Sequence, residues 1–200
     1  MPTKKEKEFT KNQIKSFEAI IQNFAIQVGY KPKLHMCNTS GILNYPEVHF
    51  DMVRSGIGLY GFGNSEKENQ HLKPIATLKT IISQIHNIEK GESVGYNRAF
   101  KSDGFLKTAT LPIGHADGIS RHFGNGKGFV FINGQKASII GNICMDMIMI
   151  DITNIDCKEG DEVIIFDANH TAENLANSIN SISYELITAI SQRVKRVFLK

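Results

Sequence analysis

The sequence predicts an α/β segment that runs into a mainly β domain, and three observations carry that prediction. Over roughly the first 60 residues a helical stripe, a short apolar run, a turn and a second apolar run follow one another, which is the rhythm of a parallel α/β layer. Beyond residue 75, short runs rich in β-branched residues recur with turn residues between them, and helical spacing returns only near the C-terminus. Between the two lies Asn64 to Gln70, NSEKENQ, which is polar throughout and reads as a linker. The expected division is therefore residues 1–63 and residues 64–200.

In the first segment Ile14, Phe17, Ile20, Ile21, Phe24 and Val28 stand at three- and four-residue spacing, so Lys11 to Val28 is expected as an amphipathic helix. Thr10 is its expected cap, because a hydroxyl there accepts from an otherwise unpaired backbone N–H. Lys33 to Cys37 reads as a short strand ending in the polar Asn38, Thr39 and Ser40. A helical or irregular stretch at Pro46 to His49 follows, then a strand-like run from Phe50 to Tyr60 that closes on Gly61 and Gly63. A parallel strand needs covered faces and neighbours, and so short a segment supplies too few of either. Residues 1–63 are thus expected to be the tail of a larger α/β domain.

In the second segment one long strand is expected from Ile75 to Ile88. Leu106 to Ile113, Phe129 to Ile132, Lys136 to Ile140, Met145 to Ile152 and Glu162 to Phe166 are expected to follow as strands. Asn133-Gly134 is a two-residue hairpin turn, since both residues tolerate positive φ. Gly124 to Gly128, GNGKG, precedes a strand, whereas a phosphate loop follows one and opens a helix, so it reads as a plain hairpin or surface loop. A helix is expected from Thr171 or Ala172, another capped by Ser183, and a last strand from Val194 to Leu199 with Arg193, Lys195 and Arg196 on a solvated face.

Composition excludes several function classes. Hydrophobic residues at 41% and charged residues at 22% are those of a globular chain. No apolar run approaches the ~18 residues of a membrane helix, and the charged MPTKKEKEFT lacks the apolar centre of a secretory signal. A net charge of +3, scattered along the chain, is too mild to point to nucleic acid. Cys37, Cys144 and Cys157 are far apart and form no metal-ligand spacing, so no metal is expected and reduced thiols in a cytoplasm fit best.

Four clusters concentrate chemistry-bearing residues: His35-Met36-Cys37-Asn38-Thr39-Ser40, Arg54-Ser55-Gly56-Ile57, Val94-Gly95-Tyr96-Asn97-Arg98, and Cys144-Met145-Asp146-Met147. Each has an ordinary reading when taken singly, as a cap, a solvated arginine, a glycine turn and a strand core. Together they describe a ligand-binding protein and leave the ligand open.

Their order and spacing carry more. HMCNTS, DMVRSGIGLYG, VGYNRAF, TLPIGHADGISR, NGQKASIIGNICMDMIMID, GDEV and ISYELITAISQRVKR occur as they do in the alanine racemase family, which the chain resembles from about Phe9 to Phe198. The resemblance implies α/β plus β architecture: the last strands and helices of a TIM-type (β/α)8 barrel, followed by the family's mainly β C-terminal domain. It implies a homodimer with active sites shared between subunits, pyridoxal 5'-phosphate as cofactor, and interconversion of L- and D-alanine for peptidoglycan precursors. The GHADG wording is similar to racemase domains fused behind a cell-wall peptide ligase, so a fused ligase upstream is a further expectation.

Residue by residue, Thr39, the amides of Gly56 and Ile57, and the Tyr184 hydroxyl match the family's phosphate positions, and Arg54 matches the arginine facing the pyridine nitrogen. An arginine stays protonated and cannot hand that nitrogen a proton, so the ring is a weaker electron sink and two bases on opposite faces suit the reaction. His35 matches the histidine that supports Arg54. Tyr96 matches the tyrosine that acts as one of the two acid/base groups, reaching in from the partner subunit. A free phenol titrates near ~10, so that task calls for cations nearby, and Arg98 is within sequence reach.

The backbone of Met145 and the side chain of Asp146 match positions beside the substrate carboxylate and the entry channel, and Arg121 matches a channel arginine. His115 stands where many members carry a channel tyrosine and Asn142 where many carry a channel arginine, which bears on gating and substrate range. The Schiff-base lysine, in a motif like AVKADAYGHG, has no counterpart among the 200 residues. The isolated chain is therefore expected not to racemise alanine. A broad-specificity or serine racemase, a related barrel decarboxylase and a non-catalytic dimerisation module are the alternatives to the alanine reading.

Overall fold

In a computed structural model, which describes residues 4–199, the chain packs as two units, Met1–Pro74 and Ile75–Lys200. The first unit opens with α1 (Lys4–Val28). The charged residues ahead of Lys11 are good helix formers and extend the helix N-terminally, so Thr10 lies inside it and does not cap it. Ile14, Phe17 and Ile21 are half-buried, and Phe17 meets Phe50 edge-to-face at 5.5 Å. Next comes α2 (Thr39–Asn44), capped by Asn38, whose side chain accepts from the Gly41 N–H at 3.0 Å. A 3₁₀ turn spans Pro46–Val48.

The two strands expected at Lys33 to Cys37 and Phe50 to Tyr60 shrink to one parallel bridge, His35 with Met52. Asp51 N–H donates to Leu34 O at 3.1 Å and Arg54 N–H to Cys37 O at 2.9 Å, so the two segments run side by side without extending into strands. Past Arg54 the chain coils into a 3₁₀ turn, Ile57–Tyr60, because a parallel pair without flanking strands gains little by continuing.

The expected linker is also structured. Its centre is α3 (Glu66–Asn69), capped by Ser65, and Glu68 is only 5% exposed. The Glu68 carboxylate accepts from Ser40 Oγ (2.5 Å), Asn44 Nδ2 (2.6 Å) and Asn64 N–H (2.6 Å), and so ties α2 to α3. Burial alone would raise the Glu68 carboxyl, but the hydrogen bonds from Ser40, Asn64 and Asn44 outweigh it and hold it below its ordinary range. A depressed carboxyl contributes stability that is present above its unfolded value and lost as pH falls through the folded one. Glu68→Gln should therefore cost the first unit about 2 kcal/mol at neutral pH. It should also flatten the fall in stability below about pH 4.3, which urea titrations at pH 7, 5 and 3 would read.

The second unit is a sheet built of β1 (Leu78–Ile81), β2 (Gln84–Ile88), β5 (Leu106–Leu111), β6 (Phe129–Ile132), β7 (Gln135–Ile140), β8 (Ile148–Asp151) and β9 (Glu162–Phe166), beside a short ribbon of β3 (Ser93–Val94) and β4 (Phe100–Lys101). The order is β1-β9-β6-β7-β8-β5-β2 and every described pairing is antiparallel. The single strand expected from Ile75 to Ile88 is divided at Ile82 and Ser83. Ile82 N–H donates to Asp161 O on one edge of the sheet, and Ser83 N–H to Thr110 O on the other. One continuous run thus supplies both edge strands of the sheet, β1 against β9 and β2 against β5. Val130, Ile132, Ala109, Leu111, Ile148, Ile150 and Val163 fill the interior and are fully enclosed.

Asn133 (φ 50°) and Gly134 (φ 76°) turn β6 into β7 with two positive φ values, as expected. Thr171 caps α4 (Ala172–Asn177) by accepting from Asn174 N–H, while Ser183 is the first residue inside α5 (Ser183–Ala189) and Ile182 takes the cap position. No strand forms at Val194 to Leu199. Instead Arg196 turns back to donate to the carbonyls of Ile190 (2.7 Å), Val194 (2.8 Å) and Ser191, closing the end of α5 with a cation. Among the described residues no helix is long and apolar enough to cross a membrane, and no group of three His, Cys, Asp or Glu side chains is placed to hold a metal ion.

Candidate functional site

The chemistry-bearing residues of the first unit gather where the parallel bridge ends. Thr39, at the start of α2, is buried, and its Oγ1 accepts from Gly58 N–H at 3.3 Å. A Cβ on Gly58 would fall 2.6 Å from Thr39 Cγ2, so only glycine lets the 3₁₀ turn sit against this threonine. Gly56 and Ile57 stand at the head of that turn, where the first amides have no partner inside the helix. One hydroxyl and the leading amides of one turn are therefore side by side. Arg54 and His35 are exposed at the same end of the bridge. The Arg54 guanidinium lies 3.5 Å from Met36 O, and among the described contacts the His35 ring does not reach it.

In the second unit the segment 141–147 is the hub. Asn142 donates from Nδ2 to Tyr96 O at 3.1 Å. Cys144 O and Met145 O accept from the backbone N–H groups of His115 and Ala116, each at 3.0 Å. Gly114 is what permits that contact, since a Cβ there would lie 2.4 Å from Met145 O. Asp146 accepts from Arg193 Nη2 at 2.7 Å, and the same guanidinium pairs through Nε with Asp117 at 3.4 Å. The hydrogen bond Arg193 donates to Asp146 and the charge of Asp117 push the guanidinium further into its protonated range. Asp117 is buried and closes its own turn by accepting from Gly114 N–H at 2.9 Å. Tyr96, Met145, Asp146 and the His115 turn are thus connected through one loop, with Met145 57% and Tyr96 69% exposed.

Arg98, the cation nearest Tyr96 in sequence, points its Nε to Ser93 Oγ at 3.2 Å. Arg121 is exposed on a 3₁₀ turn, Arg121–Phe123, and Tyr184 stands in the first turn of α5. A cavity of about 460 Å³ is lined by His115, Ser120, His122, Glu185, Leu186 and Ala189, without Tyr96, Met145 or Asp146. Sequence reading missed Arg193 and Asp117 as partners of this loop. The basic run had looked like a solvated strand face, and its alternation with Val194 and Val197 gave no signal of a turn toward Asp146.

Two families match the chain: the one described as "Alanine racemase, C-terminal domain" over residues 75–198, and "Alanine racemase, N-terminal domain" over residues 1–63. The alanine racemase 1 of Clostridium acetobutylicum is 42% identical over 97% of this chain and 52% of that protein. Among solved structures, the alanine racemase of Bacillus anthracis with bound L-Ala-P superimposes at a TM-score of 0.87, with 29% identity over 98% of this chain and 52% of that one. The alanine racemase of Bartonella henselae with covalently bound pyridoxal phosphate gives 0.76, with 32% identity over 92% of this chain and 52% of that one. The chain spans about half the length of the relatives it matches.

Proposed function

This chain belongs to the alanine racemase family, and we propose that it is the Tyr96-bearing half of an enzyme that interconverts L- and D-alanine in the cytoplasm, supplying D-alanine to peptidoglycan precursors. The first unit, Met1–Pro74, contributes the closing part of the barrel, with the segment expected as a linker packed onto it, and the second, Ile75–Lys200, the C-terminal β domain. The observation that carries the proposal is the 141–147 loop, which links the Tyr96 turn to Met145, Asp146 and the His115 turn within one domain.

The donor set of the first unit fits pyridoxal phosphate. The Thr39 hydroxyl and the amides at the head of the Ile57–Tyr60 turn suit a dianionic phosphate, which neutral N–H and O–H donors hold without a bulky counter-ion. Tyr184 adds a further hydroxyl in the assembled enzyme, and Arg54, whose guanidinium lies beside the Met36 carbonyl, would sit by the pyridine nitrogen without protonating it. When bound, the cofactor supplies an electron sink that acidifies the substrate Cα–H. Tyr96 Oη takes or gives the proton at Cα on one face, in the active site of the partner subunit. The Met145 backbone lies beside the substrate carboxylate, Asp146, its charge met by Arg193, stands next to it at the entry channel, and His115 and Arg121 line that channel.

The group for the second face must come from the lysine-bearing barrel portion that this chain lacks. The test is to mix this chain with pyridoxal phosphate, alone and with a separately expressed lysine-bearing barrel portion, and to follow L- to D-alanine conversion. Turnover is expected only in the mixture. Turnover by this chain alone would overturn the half-site reading. An inactive mixture of folded parts would make the chain a dimerisation module.

A further inference from the structure

Tyr96 presents an exposed ring, so the direction of its hydroxyl is set by its backbone more than by packing around the ring. That backbone is an improbable one. Gly95 (φ 79°), Asn97 (φ 59°) and Arg98 (φ 51°) all lie in the left-handed region, which a side chain such as that of Arg98 adopts at a cost. A turn of this kind persists only where its surroundings hold it. Inside the turn, Ala99 N–H donates to Tyr96 O at 3.3 Å and Arg98 Nε to Ser93 Oγ. From outside, Asn142 Nδ2 donates to the same Tyr96 carbonyl at 3.1 Å, while Met149 packs its methyl against Gly95 without a hydrogen bond.

The orientation of that amide is forced. A carbonyl oxygen only accepts, so the NH₂ of Asn142 must face Tyr96 and its Oδ1 must face away. There Oδ1 meets Asn125 Nδ2 at 3.1 Å. Asn125 is itself fixed to the strand connection, since its N–H donates to Gly141 O at 2.8 Å and the next amide, Gly126, donates to Ile139 O at 2.7 Å. The backbone of Gly141 and Asn142 also lies directly against the turn. A Cβ on Gly141 would fall 2.9 Å from Val94 O, and one on Gly95 would fall 3.5 Å from Asn142 N.

We propose that Asn142 is a positioning residue for Tyr96: an Asn125–Asn142 amide pair holds the Gly95–Arg98 turn and so aims the phenol. At a position where the resemblance places a channel cation, this chain has instead a neutral amide committed to the acid/base turn. The inference rests on the role proposed for Tyr96, and its test separates the two.

Asn142→Asp keeps the shape and replaces the NH₂ donor with an acceptor that faces a carbonyl. In ¹⁵N relaxation measurements on the full chain, the order parameters of Tyr96, Asn97 and Arg98 should fall from a rigid ~0.85 to below ~0.6 at pH 7. Those of β5 and β8 should be unchanged. As pH drops below about 4 the Asp carboxyl protonates, becomes a donor again and should restore order to the turn. Asn125→Ala should loosen the same three residues to a smaller degree. In the mixture with the lysine-bearing portion, Asn142→Asp should lower kcat 10- to 100-fold with KM for alanine within twofold. Unchanged order parameters, or loss of order spread evenly over the β domain, would overturn the proposal. A rigid turn that loosens as described in a mixture without racemase activity would leave the positioning role standing and overturn the function assigned to Tyr96.

Discussion

Gly118→Ala should destabilise the β domain by about 3 to 4 kcal/mol. Two costs combine at this site. Gly118 has φ 103°, a backbone conformation that costs an L side chain about 1–2 kcal/mol. Its Cβ would also fall 2.3 Å from Ala189 O and 2.8 Å from Ile190 Cα. These are backbone atoms at the end of α5, and moving them means moving the helix, an overpacking cost of about 1–3 kcal/mol.

The consequence reaches the site. Ser191 N–H donates to Asp117 O at 3.0 Å, and Arg193 carries the connection from Asp117 on to Asp146. Retreat of α5 therefore loosens the turn on which Met145 and Asp146 rest. Gly134→Ala is the matched control: its φ is 76°, yet nothing lies within 4 Å of the added methyl. It should cost only the conformational part, about 1 kcal/mol. Chemical denaturation of the two variants decides the matter. If Gly118→Ala is no worse than Gly134→Ala, α5 does not bear on this turn.

The β domain was the more legible half of the sequence, for a physical reason. Strands β6 and β9 were read to the residue because their runs of Val, Ile and Phe are bounded by polar or glycine residues, and the Asn133-Gly134 turn announced its own geometry. What sequence could not show is where a run changes partners. Ile75 to Ile88 reads as one strand, since nothing in its composition marks Ile82 as the point where hydrogen bonding passes from Asp161 to Thr110. The first segment was less legible because its strands depend on neighbours outside the run itself. Without flanking strands His35 and Met52 make only a bridge. Glu68 was hidden by its company: in NSEKENQ it looks like any solvated acid, and only the fold brings Ser40 and Asn44 to its carboxylate.

The candidate site divides in the same way. Residue types and order singled out Thr39, Arg54, Tyr96, Met145 and Asp146, because motifs are local. The partners that hold them are distant in sequence. Asn142 lies 46 residues from Tyr96 and Arg193 lies 47 from Asp146. Side-chain hydrogen bonds over such separations leave no local pattern, and Arg193 was misread because its neighbours suggested a strand.

Tyr96→Phe is the substitution with the largest expected effect on chemistry. It removes one oxygen from a ring that is 69% exposed, so the fold should be unaffected and stability should stay within about 0.5 kcal/mol. In the mixture with the lysine-bearing portion and pyridoxal phosphate, racemisation should fall by about 10²- to 10⁴-fold, the contribution of one positioned acid/base group. The loss should also be one-sided. Racemisation needs a proton removed on one face of Cα and delivered on the other, so deleting one of two groups blocks inversion while the other face keeps its own. In deuterated water the variant should therefore still exchange the Cα hydrogen of one alanine enantiomer at a rate near the parent's, and scarcely exchange that of the other. Equal exchange of both enantiomers would mean that a single group serves both faces, and parental racemisation would remove Tyr96 from the reaction. Exchange confined to one enantiomer assigns Tyr96 to the face that has fallen silent, which a simple fall in rate could not do.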